Sequence, residues 1–293
     1  MRVGLPAWQP HPEVWVLVAG LVGLALYAVR VIGPKAVRDG SPIVTRRQTA
    51  WFALAIVLLL LASDWPIHDV AEERLYSVHM VQHLLLSYVI APLFLLATPA
   101  WLARLIVGKG GRWLRRLCHP VVAGVTYNAV IVFTHWPAVV NGSIAHAGLH
   151  YGLHVLVVAA SLLMWTPVCG PLPELRMSLP AQMIYLFSMS IVPTVPAAWL
   201  VFAEGAVYSA YDIPQRLWGL SVTTDQQLAG LLMKLVAGMY LWGLIVVIFF
   251  KWAARHEAAE KAGRNVTERD VLTWDDVERE LATAPPAPKE AQL

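Results

Sequence analysis

The chain is poor in charge. Asp, Glu, Lys and Arg make up 14% of its 293 residues, against about 25% in a soluble domain that must cover its surface with them. It has two cysteines, too few for a disulfide-dependent scaffold. Its formal net charge of +3 is small and scattered, which excludes a nucleic-acid binder. There is no His-Glu-x-x-His, so a zincin-type intramembrane protease would lack its general base. Neither a glycine-rich phosphate loop nor a Gly-x-Ser-x-Gly motif occurs. What is abundant is apolar: 58% of the residues, gathered in long runs. That pattern fits neither a disordered chain nor an ordinary water-soluble enzyme.

A helix rising 1.5 Å per residue needs roughly 20 residues to cross a bilayer core about 30 Å thick. Seven runs qualify: about 13–32, 48–64, 76–97, 120–139, 146–168, 181–201 and 228–250. The second is short, but Trp51 and Trp65 bracket it as interfacial anchors. No small-residue cleavage site follows the first, so a removed signal peptide is not expected. The expected fold is therefore an all-α membrane bundle of seven transmembrane helices over residues 1–254. A polar tail over 255–293 follows, with a short helix near 273–281 and a Pro/Ala linker over 284–288.

Basic residues orient it. One set of loops carries Arg30, Lys35, Arg38, Arg46 and Arg47, then Arg104, Lys109, Arg112, Arg115 and Arg116, then Lys251 and Arg255. The alternate loops carry little beyond Arg74 and Arg216, with Asp64, Asp69, Glu72, Glu73, Glu204, Asp212 and Asp225. The positive-inside rule then places the N-terminus outside and the C-terminus in the cytoplasm. On that side the sequon at Asn265 carries no glycan. Cys118 and Cys169 fall near cytoplasmic span ends, where thiols stay reduced. They read as packing residues, with transient copper handling as the lesser alternative.

Ten histidines stand out against this poverty of charge. The topology puts seven on the outer side: His68, His79, His83, His135, His146, His150 and His154. His11 is also outside, on the N-terminal arm and away from any helix pattern. The third span carries His79 and His83, with Tyr76 before them and Met80 and Gln82 between; the fifth carries His146, His150 and His154. Residues i and i+4 share a helix face, so each set forms a stripe. Both spans run inward, and both stripes descend roughly 10–12 Å. His79 is then level with His150, and His83 with His154, if the two helices are neighbours. His135, before Trp136-Pro137, closes the cluster from above. His68, in a loop beside Asp64 and Asp69, reads as solvated. A single histidine in a span is most often a packing residue. Five on two helices point to a metal or haem site rather than to interhelical hydrogen bonds alone.

The last span adds Asp225-Gln226-Gln227 at its outer end, where Asp225 and Gln226 are placed to orient imidazole rings from behind. Lys234, two turns deeper, is the only full charge well inside a span. It reads as a snorkelling group, a partner of Asp225, or a tuner of the imidazole cluster. A retinal Schiff base there is disfavoured, because the third span offers imidazoles and no carboxylate counter-ion. Of Met80, Met189, Met233 and Met239, only Met80 sits within the stripe. Thioether with imidazole suits Cu(I), whereas imidazole alone also suits zinc or haem iron. Two alternatives to copper stay open. A zinc-dependent seven-helix hydrolase could set Asp64, His79, His150 and His154 around an activated water. A haem b could take His83 and His154 as axial ligands. The copper expectation makes His79, His83, His150 and His154 the ligands, with His135 and His146 as points of uptake or release.

Several motifs taken together resemble one family. They are His79-Met80-Val81-Gln82-His83 with Pro92 and Ala97-Thr98-Pro99, and His135-Trp136-Pro137. To these add His150 and His154 followed by Trp165-Thr166-Pro167, Gln182-Met183 with Tyr185, and the run from Asp225 to Met233. Over about residues 50–250 the chain resembles the CtaG family, multi-pass cytochrome c oxidase assembly factors of bacteria. The resemblance implies a non-enzymatic role in the inner membrane, maturing a caa(3)-type oxidase by supplying copper to it. The implied partners are the oxidase subunits and an extracytoplasmic copper chaperone. Kinship of such proteins with copper-uptake modules keeps transport as a further alternative.

Overall fold

The computed structural model describes residues 5–38, 40–214, 217–270 and 274–283. Among these there are helices and no strands. Arg216 and the linker at 284–288 lie outside the described residues. Four helical segments lie close to expected spans, namely α1 (Pro12–Ala36), α2 (Arg46–Ser63), α4 (Tyr76–Ala97) and α8 (Ala147–Cys169), while α11 (Val222–Lys261) contains the expected 228–250 and extends well beyond it at both ends. The sixth expected span, Leu179–Val201, is apolar enough to cross, but it breaks into α9 (Leu179–Ile191) and α10 (Thr194–Val201) at Val192-Pro193. These six become seven when α5 (Ala100–Leu117) and α6 (Pro120–Thr134), bent by 74° at their junction, count as one.

Three departures from the expected spans have local causes. The fourth ends at Thr134 instead of 139, because Pro137 disfavours helical ψ at the residue before it. Trp136 accordingly sits at φ −68, ψ 131, and a new short helix α7 (Pro137–Ala145) starts at the proline. The basic stretch expected as a loop is the amphipathic helix α5, which interrupts itself only at Gly111, where φ is 60. A left-handed backbone there favours glycine, since other residues pay a Cβ clash. The segment between the second and third spans folds into α3 (Ile67–Glu73), which buries His68, Asp69, Val70 and Ala71. The tail helix α12 spans Trp274–Thr283, slightly later than expected.

Helix α4 is the central stave, with 56% of its most apolar stretch buried, against 11% for α1. It packs on α2, α8 and α11. A π-helical turn, Leu85–Ile90, precedes Pro92 in α4, whose missing N–H cannot continue the regular ladder. The core divides in two. Toward the Lys/Arg end, Tyr88, Tyr127, Met164, Trp165 and Leu186 fill the interior. Trp165 Nε1 donates to the Ser87 carbonyl at 2.8 Å, and Tyr127 to the Tyr88 hydroxyl at 3.0 Å. Toward the other end, Tyr76, Met80, Tyr208, Tyr211 and Met233 form a second cluster around the histidines. Outward faces are apolar, as a lipid environment requires: Val16, Leu24, Val195 and Phe250 all stand exposed.

Candidate metal centre

The site begins with the placement of α4. Its N-cap residue, Leu75, has extended dihedrals and no side chain able to cap. The first N–H groups of a helix have no partner inside it. Asp225 of α11 supplies the acceptors from across the bundle. Its carboxyl oxygens receive Tyr76 N–H at 2.7 Å, Ser77 N–H at 3.0 Å and the Ser77 hydroxyl. Asp225 is completely buried. This clamp sets where α4 starts, and with it the positions of His79 and His83 one and two turns on.

On α8 the helix starts at Ala147, so His146 is the N-cap, at φ −139, ψ 99. The i, i+4 relation holds only inside a helix. His146 therefore leaves the stripe: it is exposed, with Nδ1 3.2 Å from the Gly142 carbonyl. His150 and His154 remain on the inward face.

His79, His83 and His154 each bring one ring nitrogen to a common point, all three atoms lying within 4.8 Å of one another. Ring centroids are 4.4 Å apart for His79–His83, 4.9 Å for His83–His154 and 5.6 Å for His79–His154. His150 stands 5.6 Å from His79 and 4.4 Å from His154. Tyr76 stacks on His79 at 5.6 Å. His135 lies 6.5 Å from His83, beside the deeper ring, and does not cap the cluster as expected. Its carbonyl-facing nitrogen explains its tautomer. Nδ1 is 2.7 Å from the Ile131 carbonyl, which can only accept, so Nδ1 carries the proton and the Nε2 lone pair is free.

These rings are poorly satisfied. His79 Nδ1, both nitrogens of His83, His135 Nε2 and His154 Nε2 are buried without a hydrogen-bond partner. Buried polar atoms nearly always find partners, so five orphaned imidazole nitrogens in one place fit a site shaped for a cation. The space they enclose, bordered also by Met80, Thr134 and Tyr211, is about 20 Å³. A single ion or water fits there.

Above this trio the rings continue. His150 Nε2 is 2.6 Å from Glu72 Oε1, and His68 Nε2 is 3.2 Å from the same oxygen. His11 stacks edge-on to His68 at 4.8 Å and places Nε2 3.0 Å from Asp69 Oδ1 and Nδ1 3.2 Å from Glu13 Oε1. His68 is thus buried, where solvation was expected, and His11, placed on the arm away from any helix pattern, is buried too as the N-cap residue of α1. Burial lowers the His68 pKa against the opposing pull of Glu72. Burial also acts to raise Glu72, but its contact with His150 and the charges of His150, His68 and His11 outweigh this and lower it. Burial raises Asp69 despite His11.

The remaining expected site residues lie elsewhere. Asp64 accepts Trp15 Nε1 at 2.9 Å and its neighbour Trp65 N–H at 2.8 Å, which ties α1 to the end of α2, away from the imidazoles. That leaves the set Asp64, His79, His150 and His154 unassembled. Gln226 hydrogen-bonds to backbone rather than to an imidazole. Its Oε1 accepts Val207 N–H at 2.8 Å and Tyr208 N–H at 3.1 Å, and its Nε2 donates to the Tyr208 carbonyl at 3.0 Å. Gln227 Nε2 donates to the Ala203 carbonyl at 3.1 Å. The loop they hold leans on the site: Tyr208 donates to the His135 carbonyl at 2.9 Å and Tyr211 to the Ala71 carbonyl at 3.0 Å. Asp225, Gln226 and Gln227 therefore hold backbone, where Asp225 and Gln226 were expected to orient rings. Lys234 is exposed and donates to Thr194 Oγ1 at 2.6 Å, reaching neither Asp225 nor the cluster. Met239 is exposed, while Met189 packs in the other half of the core.

A family model, cytochrome c oxidase caa3 assembly factor, matches residues 25–255. The chain belongs to this family. No curated protein and no solved structure matches it. In this assembly factor the matched stretch contains both imidazole-bearing helices, Glu72 and the Asp-Gln-Gln clamp, whereas His11 and Glu13 precede it. Sequence reasoning missed Glu72, His68 and His11. The i, i+4 pair His68 and Glu72, just after Pro66, is the one local signal that α3 would turn both onto one face.

Proposed function

We propose that this assembly factor holds copper on His79, His83 and His154, with His135 bordering the same space, and passes it to a subunit of the oxidase. The observation that carries this is the convergence of three imidazole nitrogens within 4.8 Å, with orphaned lone pairs aimed into a space of about 20 Å³. Neutral imidazoles with the Met80 thioether at the border suit Cu(I). Rings at 4.4–5.6 Å from His150 provide successive ligands, so an ion can exchange partners without ever losing all of them.

The positive-inside distribution supports a reading in which the histidine end faces outward and α5 the cytoplasm of a bacterial inner membrane. A donor chaperone and the acceptor subunit then meet the protein at its extracytoplasmic end. Transport across the bilayer is less well supported, because Tyr88, Tyr127 and Trp165 fill the bundle below His83. A porphyrin does not fit in the space of about 20 Å³ between His83 and His154, which counts against haem on those two ligands. The test is metal analysis with an absorption spectrum of the protein purified in detergent after Cu(I) loading. His79→Ala/His83→Ala is expected to lose one equivalent of copper, and no Soret band is expected in either protein. Full copper retention by the double variant would overturn the site.

A further inference from the structure

We propose that Glu72, His68 and His150, backed by Asp69 and His11, form a second cation site at the rim, one that takes a divalent transition-metal ion on mixed carboxylate and imidazole ligands. It rests on the reading of the three-imidazole centre below it, and adds a separate site of different chemistry. One carboxylate oxygen, Glu72 Oε1, stands 2.6 Å from His150 Nε2 and 3.2 Å from His68 Nε2. The two histidines come from different helices, α3 and α8, so the meeting is tertiary and not a by-product of one helix face.

Hydrogen bonding does not exhaust this cluster. His150 Nε2 pairs with Glu72, but Asp69 Oδ2 and Gln82 Oε1 are buried with no partner at all. Asp69 is 3% exposed and Gln82 0%, so neither acceptor is satisfied by solvent. Gln82 lies against His68, with its amide nitrogen 3.3 Å from Nδ1. Exchanging the two ends of that amide would let Oε1 accept Nδ1–H and leave the His68 Nε2 lone pair toward Glu72. A ligating histidine commonly has its other nitrogen held this way. Gln82 is then a positioning residue, and the Gln of the His-Met-Val-Gln-His motif has a task distinct from that of the histidines beside it.

Access and ligand type separate the two sites. The Glu72 side chain is 32% exposed, so an ion arriving from water meets it first. Carboxylate oxygen with imidazole suits Cu²⁺ or Zn²⁺, whereas imidazole with thioether suits Cu(I). His150 belongs to the rim site and stands next to His154 of the inner one. A simple ion-pair network that pins the N-terminal arm would use the same contacts, and it is the competing explanation.

Titration of the full chain in detergent with Zn²⁺, followed by metal analysis and by Cu²⁺ electron paramagnetic resonance, tests this. Wild type is expected to bind a divalent ion with mixed nitrogen and oxygen ligation. Glu72→Gln keeps size and hydrogen bonding but should weaken that ion at least about 100-fold, the upper range for losing even an outer partner of a ligand, while Cu(I) content at the inner centre persists. His83→Ala should do the reverse, so the two readings fail separately. His68→Gln gives the same answer if Glu72→Gln does not fold. Unchanged Zn²⁺ affinity in the folded Glu72→Gln variant, or lower thermal stability there with no change in metal binding, would overturn the rim site in favour of ion pairs alone.

Discussion

Replacing Asp225 offers the sharpest test of how the site is held. Asp225→Ala removes the acceptors of Tyr76 N–H, Ser77 N–H and the Ser77 hydroxyl at once, in a place with no solvent access. The hydroxyl can turn to a nearby carbonyl, but the two N–H groups cannot move. A buried donor left unsatisfied costs about 1–3 kcal/mol. Loss of a negative group at a helix N-terminus adds about 1 kcal/mol. Together these predict a destabilisation of about 4 kcal/mol for Asp225→Ala, and about half that for Asp225→Asn, which retains one carbonyl oxygen. Equilibrium unfolding in mixed detergent and lipid micelles measures the loss, and amide exchange at Tyr76 and Ser77 locates it. His79 lies three residues beyond Tyr76, so fraying of the first turn should also weaken copper binding, more in the alanine variant than in the asparagine one. A folded Asp225→Ala protein within about 0.5 kcal/mol of wild type, by the yardstick of an ordinary surface change, with unchanged protection at Tyr76 and Ser77, would refute the clamp.

Other substitutions separate neighbours in sequence from neighbours in space. His146→Ala should leave metal content unchanged, because the residue is exposed at the helix cap; a measured loss of copper would return it to the site. Gln226→Leu should free the backbone at Val207 and Tyr208, destabilising the fold by about 2 kcal/mol and speeding exchange at those two amides. Lys234→Leu should leave copper binding intact and make the bundle more stable in lipid. A lysine deep in a span costs about 2.5–3.5 kcal/mol there, and its one hydroxyl partner, Thr194, offsets only part of that; reduced stability in bilayers would count against this account.

The Asp-Gln-Gln motif shows how such a site can depend on residues that never touch the cargo. Three adjacent side chains on α11 hold the start of α4 and the loop over 203–208. That loop in turn donates from Tyr208 to the backbone of His135. A cation site made from side chains on separate helices loosens if any helix slides by a turn, which would move a ring by about 5 Å. Anchoring backbone at the rim is thus as necessary as the ligands themselves.

Membrane residence and helix content followed from composition alone, because a run of some twenty apolar residues has one low-energy environment and one backbone form able to satisfy its own hydrogen bonds there. The stripe geometry of His79 and His83, and of His150 and His154, also followed from helical periodicity, since spacing by four is a property of any α-helix. His146 could not be sorted the same way: its side-chain direction depends on where α8 begins, and that is decided by a cap and not by apolarity. The prolines at 137 and 193 mark breaks that hydropathy averages away. Tertiary packing alone brought α4 beside α8, folded α3 over their ends, and set Glu72 of the short α3 against His150 of the long α8. Those contacts join residues 78 positions apart along the chain, and no local propensity encodes them. They arise because buried polar groups, once a bundle closes, must find whatever partners the neighbouring helices present.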